Sequence, residues 1–488
     1  MLRKIRLTLA ILFWVLITWL LVDFTGTAHS YLGWMAKIQF LPALLTLNFI
    51  VLTSLILLTL LFGRIYCSVI CPLGVMQDFI AWLNKKKHRY SYNPAHSLLR
   101  YSMLGLFLIL MAIPATHFLG TLLAPYSTYG RIVASVIAPI WKVLNNGLAQ
   151  IAAHYDSYAF YNVEVWIKSL LTLLISSGVW ILIAFLAWKH GRIWCNTVCP
   201  VGTLLGLLSK WSTHAPVIDI DKCNGCGLCA RNCKSSCINP KEHTIDMSRC
   251  VMCGNCMVNC RQGAMKLSLR NPFATRPEKR DEGRRAMLTG TALLASSALL
   301  RAQEKTDGGY AVILNKQVPQ RKHKITPPGS ISVKNMHVNC TTCQLCVSAC
   351  PNDVLRPSND LNRLMQPEVS YERGYCRPEC NRCSQVCPTG AIRPIRVEQR
   401  TAIQVGRAVW IKQNCIPVSD GQPCGLCERK CPAQAIQMVP LNEKEPKGLQ
   451  IPVVNEEKCI GCGACENLCP SRPLSAIYVE GYEIHNDI

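Results

Sequence analysis

The sequence is short of acidic residues and of histidines placed to bind haem. It has 29 Asp and Glu against 52 Lys and Arg, and only 11 histidines among 488 residues. A bis-histidine haem needs histidines on facing membrane helices, whereas only His117 lies well inside an apolar run of spanning length, near one end of it. The sequence also has no catalytic dyad, no glycine loop for phosphate and no domain of molybdopterin-binding size. These absences exclude the commonest haem and nucleotide chemistries.

Cysteine is abundant. Of 29 cysteines, all but Cys237 fall in short-spaced pairs or quartets. A disulfide framework suits small secreted chains without a core, and a Cys-x-x-Cys-x-x-Cys run crowds three thiols onto one loop, so we predict metal ligation instead. A [4Fe–4S]²⁺ core with four thiolates carries a charge of about −2, so six clusters would lower the formal net charge of +23 by about 12. The basicity therefore partly balances bound metal, and no nucleic-acid partner is predicted.

Four apolar stretches are long enough to cross a hydrocarbon core about 30 Å thick. They are Ile5–Val22, Phe40–Phe62, Leu98–Leu119 and Lys168–Trp188. Basic residues precede the first stretch and follow the second and fourth, whereas the loops Asp23–Gln39 and Gly120–Trp166 carry little charge. The basic residues are Arg3, Lys4 and Arg6, then Lys85, Lys86, Lys87 and Arg89, and finally Lys189, His190 and Arg192. The positive-inside rule predicts a multi-pass protein of the bacterial inner membrane with its N-terminus in the cytoplasm.

One motif occurs twice. Gly63-Arg64-Ile65-Tyr66-Cys67 leads after three residues to Cys71-Pro72-Leu73-Gly74, and Gly191-Arg192-Ile193-Trp194-Cys195 leads with the same spacing to Cys199-Pro200-Val201-Gly202. Each copy closes one helical hairpin, which predicts a duplicated two-helix unit. At a spacing of four, the two cysteines of each pair share a helical face at the cytoplasmic edge of the membrane. Cys67, Cys71, Cys195 and Cys199 could converge on a seventh metal site or exchange disulfides. The alternative is a buried structural pair at each helix end.

Residues Lys222 to Gly263 contain two Cys-x-x-Cys-x-x-Cys-x-x-x-Cys runs. In two-cluster ferredoxins, three thiolates of such a run hold one cubane and the fourth reaches the neighbouring one. This rule assigns Cys223, Cys226, Cys229 and Cys260 to one cluster, and Cys250, Cys253, Cys256 and Cys233 to the other. Cys237 is a spectator or replaces Cys233, since neither precedes a proline. Zinc is the rival metal, but consecutive two-residue gaps favour the cubane.

A second cysteine-rich domain, His337–Ile477, repeats this pattern four times. Its sets are Cys340, Cys343, Cys346 and Cys350; Cys376, Cys380, Cys383 and Cys387; Cys415, Cys424, Cys427 and Cys431; and Cys459, Cys462, Cys465 and Cys469. The last cysteine of each set precedes a proline, and sixteen thiolates make four clusters with none left over. Two pairings of the sets remain open: first with second and third with fourth, or first with fourth and second with third.

The twin arginine Arg284–Arg285 precedes a weakly hydrophobic run, Gly290–Leu300. An arginine pair before an apolar run can be an ordinary cytoplasmic anchor. Here it precedes a cofactor-loaded domain, and folded metalloproteins need a twin-arginine exporter, so we predict an internal export signal. The second cysteine-rich domain would then be periplasmic, and the run would either stay as a fifth span or be cleaved near Ala302. Gly283 and Met287 depart from the residues usual in such signals.

The chain resembles two families. Residues 1–270 resemble the NapH family of quinol dehydrogenase membrane subunits, through Cys67, Cys71-Pro72, Cys195, Cys199-Pro200 and the eight quartet cysteines after Lys222. Residues 280–480 resemble the NapG family of twin-arginine-exported four-cluster ferredoxins, through Arg284, Arg285 and the sixteen cysteines from Cys340 to Cys469. The families are usually separate chains, and here they would be fused. The resemblance implies oxidation of menaquinol or ubiquinol that feeds an exported reductase.

The predicted fold is a membrane α-helical bundle of four spans, or five, with two α+β bacterial ferredoxin-like iron–sulfur domains. The predicted domains are 1–210 in the membrane, 211–270 in the cytoplasm, a linker at 271–336, and 337–488 in the periplasm. The predicted function is electron transfer from quinol, bound within the bundle, through six [4Fe–4S] clusters to a periplasmic reductase or cytochrome. Without haem, no fixed chain of centres is predicted to cross the apolar slab, so quinone would be the carrier. The rivals are a maturation factor that supplies electrons to a metalloenzyme, and a thiol redox sensor.

Overall fold

The computed structural model describes residues 2–84, 90–157, 160–269, 316–442, 445 and 448–487. Several predictions concern residues outside this set. They are the basic cluster Lys85, Lys86, Lys87 and Arg89, the twin arginine Arg284–Arg285, the fifth span and most of the linker. These therefore remain predictions.

From Leu2 to Ser209 the described chain is mainly helical. In chain order, its α-helices are α1 (Leu2–Val22), α2 (Thr27–Leu32), α3 (Trp34–Lys37), α4 (Phe40–Leu45), α5 (Phe49–Phe62), α6 (Tyr66–Val69), α7 (Pro72–Leu83), α8 (Ser97–Ala112), α9 (His117–Leu123), α10 (Pro125–Ile132), α11 (Ala138–His154), α12 (Leu170–His190), α13 (Ile193–Thr197) and α14 (Pro200–Ser209). Five π-helical residues, Val133–Ile137, join α10 to α11 without a break.

Three helices of the described chain are long and apolar enough to cross a membrane: α1, the continuous helix Pro125–His154, and α12. The helices α8 and α9 would supply a fourth if their 113° bend lies within one span. Two predicted spans, Ile5–Val22 and Lys168–Trp188, therefore correspond to continuous helices. The four-span bundle as a whole stays a prediction.

The predicted second span, Phe40–Phe62, is not one helix. Leu47 has a left-handed φ of 51°, and the Asn48 side chain begins α5 by accepting a hydrogen bond from the Val51 amide at 3.2 Å. The 14 residues of α5 extend for only about 21 Å, less than a hydrocarbon core of about 30 Å. The single-span prediction fails because overall apolarity conceals a helix cap in the middle of the run.

The predicted third span and the loop after it also differ from expectation. Pro114 has no amide hydrogen to continue α8, which ends at Ala112, and α9 turns away from it. Most of the predicted loop Gly120–Trp166 belongs to the helix Pro125–His154. This helix is less apolar than α1 and α12, because polar residues such as Arg131 and Asn145 interrupt it. Composition alone therefore reads this helix as a loop.

Both cysteine-rich domains combine short helices with antiparallel strand pairs. The first contains β1 (His214–Ile218), α15 (Leu228–Arg231), β2 (Ile238–Asn239), β3 (Thr244–Ile245), α16 (Asn255–Asn259) and β4 (Met265–Leu269). In it, β1 pairs with β4, joining the two ends of the domain, and β2 pairs with β3. The third cysteine of each closely spaced run lies in a short helix, Cys229 in α15 and Cys256 in α16.

The second domain is built in the same way but is larger. Its elements are α17 (Val333–Asn339), α18 (Leu345–Ala349), β5 (Leu355–Pro357), β6 (Pro367–Val369), α19 (Arg382–Val386), α20 (Val397–Arg400), β7 (Ile403–Trp410), α21 (Ile416–Ser419), α22 (Leu426–Arg429), β8 (Ile436–Pro440), β9 (Gln450–Val454), α23 (Ala464–Leu468) and β10 (Ile477–Asp487). The antiparallel pairs are β5 with β6, β7 with β10, and β8 with β9.

The two cysteine-rich domains contact opposite ends of α1 and α12. Just beyond the end of α12, the Arg192 amide donates to the Lys234 carbonyl of the first domain at 2.8 Å. At the start of α12, the Ser169 hydroxyl donates to the Asn359 side chain of the second domain at 2.6 Å. Beyond the end of α1, Arg382 donates to the Thr25 carbonyl at 2.9 Å. The 21 residues of α12 separate these contacts by about 32 Å.

Candidate iron–sulfur sites

The first cysteine-rich domain has two cavities, and each contains one predicted cysteine quartet. Cys223, Cys226, Cys229 and Cys260 line one cavity. Cys250, Cys253 and Cys256 line the other, together with both Cys233 and Cys237. The fold therefore brings together the quartets that the two-cluster rule assigns.

Cys237 lies beside Cys233, with 3.5 Å between their sulfur atoms. A hydrogen bond from the Cys237 thiol lowers the pKa of Cys233 despite its burial, and the neighbouring Cys233 and Cys250 raise the pKa of Cys237. Cys233 is thus the better thiolate ligand of the two. The arrangement favours Cys237 as a hydrogen-bond donor next to the cluster.

In the second domain, the fourth cysteine of each set lies near cysteines of another set. Cys387 is near Cys340, Cys343 and Cys346, and Cys350 is near Cys376 and Cys383. Likewise, Cys469 is near Cys415, and Cys431 is near Cys459, Cys462 and Cys465. Of the two pairings that the sequence left open, the structure has the first set with the second and the third set with the fourth.

These cysteines suit iron–sulfur ligation in their chemistry. All the described cysteines are free of disulfide bonds. Backbone amides donate to several of the sulfurs, such as Ala435 to Cys431 and Ala476 to Cys469, both at 3.3 Å. Burial raises the pKa of Cys343 to about 11, so a bound metal would have to displace its proton. [4Fe–4S] clusters held by these quartets would supply one-electron redox chemistry.

In the second domain, the half with the first two cysteine sets is hydrogen-bonded to the half with the last two, next to the cysteines. The Cys376 amide donates to the Cys462 carbonyl at 2.9 Å, and the Tyr371 hydroxyl donates to the Gly461 carbonyl. At one end of the domain, Cys343 is buried against α10, where a Cβ added to Gly130 would overlap the Cys343 carbonyl oxygen. At the other end, Cys424 and Cys427 are partly exposed. The sites therefore run from the helical part to the free surface.

The four cysteines of the repeated motif also come together. Cys67, Cys71, Cys195 and Cys199 are each 4% exposed, and each is within electrostatic reach of the others. The Gly202 amide donates to the Cys199 sulfur at 3.3 Å, and the Gln77 side chain donates to the Cys195 sulfur at 3.3 Å. The two motifs, which are far apart in sequence, thus form one buried thiol cluster, here called the axial quartet.

Two fully buried arginines link the two motifs crosswise. Arg64 of the first motif donates to the Gly202 carbonyl of the second at 2.7 Å, and Arg192 donates to the Cys67 carbonyl at 2.6 Å. Both arginines are 0% exposed. The helices are also paired across the two repeats. The helix after the first motif, α7, packs on α12 and α1, and the helix after the second motif, α14, packs on α5 and α8. The duplicated sequence therefore gives a pseudo-twofold arrangement around the axial quartet.

Asp78 was not among the predicted site residues. Its carboxylate accepts from Arg6 and Arg192, both at 2.7 Å, and lies 3.5 Å from the Lys234 ammonium. Burial would raise the pKa of Asp78, but these three cations outweigh it and hold that pKa well below its usual range. Sequence did offer a signal, because Asp78 is the only acidic residue between Asp23 and Asp156.

A cavity of about 660 Å³ lies where α1, α7 and the first cysteine-rich domain meet. Trp14 and Trp82 belong to its apolar wall, and Arg6, Asp78 and Lys234 belong to its polar wall. The cavity also touches residues next to the ligands of one predicted cluster, since Lys234 follows Cys233 and Asn255 precedes Cys256. Its position is at the edge of the predicted bundle rather than within it.

No three His, Cys, Asp or Glu side chains of the described chain converge closely enough to hold a single metal ion. This is true of the ferredoxin quartets as well as of the axial quartet. Thiols that surround a four-iron cubane must stand farther apart than the ligands of one ion. The prediction of a single metal at these four thiols therefore lacks support.

Three family profiles match the chain. A 4Fe-4S binding domain matches residues 44–90 and 170–216, the two segments that contain the repeated motif. A 4Fe-4S dicluster domain matches residues 339–391 and 422–472, and a second dicluster profile matches residues 246–354. No solved structure matches. The profiles identify 4Fe–4S domains in both the helical and the cysteine-rich parts.

Several known proteins are similar to parts of the chain. The methylamine utilization ferredoxin-type protein MauM of Methylobacillus flagellatus is 32% identical over 160 residues, 32% of this chain and 67% of MauM. The ferredoxin-type protein NapG of Escherichia coli is 29% identical over 177 residues, 33% of this chain and 76% of NapG. The putative electron transport protein YccM of Escherichia coli is 26% identical over 205 residues, 40% of this chain and 48% of YccM. By its identity to MauM over two thirds of that protein, the chain belongs to the family of ferredoxin-type 4Fe–4S electron-transfer proteins that includes MauM.

Proposed function

We propose that this chain is an inner-membrane protein that oxidises quinol and passes the electrons through its C-terminal sites to an exported reductase or cytochrome. The observation that carries the quinol part is the cavity of about 660 Å³ between α1, α7 and the first cysteine-rich domain. It lies at the end of α1 that carries Arg3 and Arg6, where the positive-inside rule predicts the cytoplasmic face. The NapH resemblance of residues 1–270 is part of this proposal.

The cavity has the two kinds of surface that a quinol requires. Trp82 is 60% exposed and Ile11 is 49% exposed on the outer surfaces of α7 and α1, where a lipid-soluble tail would enter. At the opposite wall, Arg6 and Lys234 offer N–H donors to the oxygens of a quinone ring. An apolar, partly aromatic lining with a few convergent polar groups is typical of small-molecule sites.

Oxidation of one quinol releases two electrons and two protons. [4Fe–4S] clusters in the neighbouring quartets would accept the electrons one at a time. Asp78 is poorly suited to accept a proton, because three cations keep its carboxylate ionised. Its role in this proposal is to hold Arg6, Arg192 and Lys234 in place, while the protons leave to the aqueous side.

The other end of the chain suits electron delivery. Cys424 just before α22 and Cys427 within it are partly exposed, whereas Cys340, Cys343 and Cys346 are buried. A soluble acceptor could approach the exposed sites closely, which favours short-range electron transfer. A thiol sensor is less compatible with the axial quartet, because thiols that are only 4% exposed are poorly accessible to oxidants.

The test is steady-state quinol oxidation by the full chain in lipid nanodiscs with a soluble electron acceptor. Trp82→Ala should lower kcat/KM for a short-chain quinol by about tenfold, because it removes a large apolar contact. Trp188→Ala is the matched control, since Trp188 is 43% exposed on α12 and does not line the cavity. If the wild-type protein oxidises quinol for a single turnover and then stops, this result would contradict the proposal and favour a maturation factor.

A further inference from the structure

The axial quartet combines four buried thiols with polar groups that lack partners. The Gln77 side-chain oxygen, the Arg192 Nη2 and the Trp194 Nε1 are buried and have no hydrogen-bond partner among the described residues. Two of these three are N–H donors from the motif that carries Cys195 and Cys199. A buried donor without a partner destabilises the fold unless an acceptor is present, and the bridging sulfides of a cluster are acceptors.

The buried positive charges next to the quartet would be stabilised by an anion. Arg64 and Arg192 are both fully buried, and among the described acidic side chains only Asp78 pairs with Arg192 and none pairs with Arg64. The partners of Arg64 are carbonyl and amide oxygens, including those of Gly202 and Asn196. An iron–sulfur core with four thiolates carries a net charge of about −2 and would balance this buried positive charge.

Of the arrangements that the sequence left open, neither a disulfide nor a site for a single ion is found at the four thiols. They form no disulfide, and they do not converge on a point where a single ion could bind. A purely structural pair would need no sulfur acceptors, yet the Gly202 amide and the Gln77 side chain both donate to sulfur at 3.3 Å. Such N–H to sulfur bonds are typical of cluster ligands, and they tune cluster potentials.

The quartet also lies between the two groups of ferredoxin sites. On one side, Arg64 is near both Cys195 and Cys250, a predicted ligand in the first cysteine-rich domain. On the other side, α7 packs on α10, and α10 packs on the Cys343 backbone. Cys71 and Cys343 belong to one continuous buried core.

We propose that Cys67, Cys71, Cys195 and Cys199 together ligate one four-iron cluster, shared by both repeats on the pseudo-twofold axis. The 4Fe-4S binding profile matches the two repeats as separate segments, whereas this site needs two thiolates from each. Such a cluster gains and loses one electron without a bond change or a proton. It would occupy the interval that the sequence predicted to lack a fixed redox centre, and it does not depend on quinol being the donor.

The test is the iron and acid-labile sulfide content of the full chain, purified without oxygen. The wild-type protein should contain about 28 iron atoms per chain, against about 24 if only the six ferredoxin sites are filled. This count needs no variant, so it remains informative if a substitution prevents folding. A wild-type value of about 24 overturns the proposal.

Variants then locate the additional iron. The double variant Cys71→Ser, Cys199→Ser removes one ligand from each repeat and should lose about four iron atoms. Thr197→Ser is the matched control, because it changes a buried residue between the two cysteines of one pair and keeps its hydroxyl. Cys226→Ser, which removes an exposed ferredoxin ligand, calibrates the loss of one cluster. A double variant that retains the full iron content sinks the proposal.

Discussion

The two copies of the repeated motif have the same backbone but different charges around it. Gly63 and Gly191 end α5 and α12 at φ values of 70° and 64°, a region open mainly to glycine. Seven residues after the second cysteine, the first copy has Asp78 and the second has Gly206. The Asp78 carboxylate forms an ion pair with Arg6 of α1, whereas the Arg100 guanidinium of α8 occupies the space beside Gly206. Duplication thus preserved the thiol geometry while one substitution made the two sides unlike.

This difference explains why the large cavity is found on the side of α7. Arg6 is drawn toward Asp78, which leaves room between α1, α7 and the first cysteine-rich domain. On the other side, Arg100 donates to the Ser248 hydroxyl at 2.9 Å and to its carbonyl at 3.0 Å. There the cysteine-rich domain is bound directly to α8. The side of the second copy therefore holds this domain through Arg100, whereas the first copy contacts it through Lys234 and borders the candidate binding site.

The largest expected effect comes from removing the acid that distinguishes the copies. Asp78→Asn would leave Arg6, Arg192 and Lys234 around a neutral amide in a buried site. Breaking a buried ionic network in this way costs about 3–5 kcal/mol. We expect a clearly lower melting temperature for the purified chain in detergent. Asp219→Asn is the control, because its two lysine contacts are surface pairs at 3.9 Å. Equal melting of the two variants would refute the structural role of Asp78.

Acid should act on the same network. The pKa of Asp78 in the folded chain is below its ordinary value of 3.8, so its stabilising contribution is fully present above about pH 4. That contribution is lost as the pH falls further, toward the lower folded-state pKa. The melting temperature of the wild type should therefore fall below pH 4 more steeply than that of Asp78→Asn. Parallel curves would show that other carboxylates dominate the acid response.

The next prediction concerns Gly74 and Gly202, the equivalent glycines of the two motif copies. A Cβ at Gly74 would overlap the Cys67 carbonyl oxygen, and a Cβ at Gly202 would overlap the Cys195 carbonyl oxygen. Both obstacles are backbone atoms, so Gly74→Ala and Gly202→Ala should each destabilise the chain by about 2–3 kcal/mol. Similar shifts in melting temperature are expected. A difference of several-fold in the free energy of unfolding would mean that the pseudo-twofold symmetry does not extend to the thiol loops.

Sequence predicted the features that depend on spacing. The ferredoxin quartets follow from gaps of two residues, and the structure brings together Cys223, Cys226, Cys229 and Cys260 as the two-cluster rule assigns. The duplicated Cys pairs were also visible in sequence. Continuous helices at α1 and α12 follow from long, uninterrupted apolar runs. In each case the information is local, since it lies within a few residues or a single run.

The features that sequence did not predict depend on contacts between distant segments. The cross-links from Arg64 to Gly202 and from Arg192 to Cys67 join residues more than a hundred positions apart. The pairing of cysteine sets in the second domain could be read only from the fold. Cys350 and Cys387 each end a set and precede a proline, so local sequence does not distinguish their partners. The break at Leu47 was missed because one left-handed residue changes the path of the chain without changing its apolarity.

A smaller effect tests the side closed by Arg100. A Cβ at Gly206 would meet the Arg100 guanidinium and the Ser248 carbonyl oxygen. Because the guanidinium can move and the carbonyl cannot, Gly206→Ala should cost about 1–2 kcal/mol. Gly178→Ala is the matched control, since its Cβ would meet nothing within 4 Å on α12, and it should be neutral or slightly stabilising. If thermal melting shows no difference between them, Arg100 does not hold the first cysteine-rich domain tightly.

The smallest effect comes from making the first copy resemble the second at the axial quartet. Gln77 is six residues after Cys71, and the corresponding residue of the second copy is Leu205. Gln77→Leu removes the hydrogen bond to the Cys195 sulfur together with a buried oxygen that has no partner, so the two effects on stability should nearly cancel, to within about 1 kcal/mol.

The effect of Gln77→Leu on the reduction potential does not cancel, because a thiolate that loses a hydrogen-bond donor becomes more electron-rich. A redox titration followed by electron paramagnetic resonance should show one centre shifted to a more negative potential by some tens of millivolts. Leu205→Met, a change of similar volume in the second copy, should leave that potential where it was. Equal shifts in the two variants would mean that Gln77 acts through packing and not through its bond to sulfur.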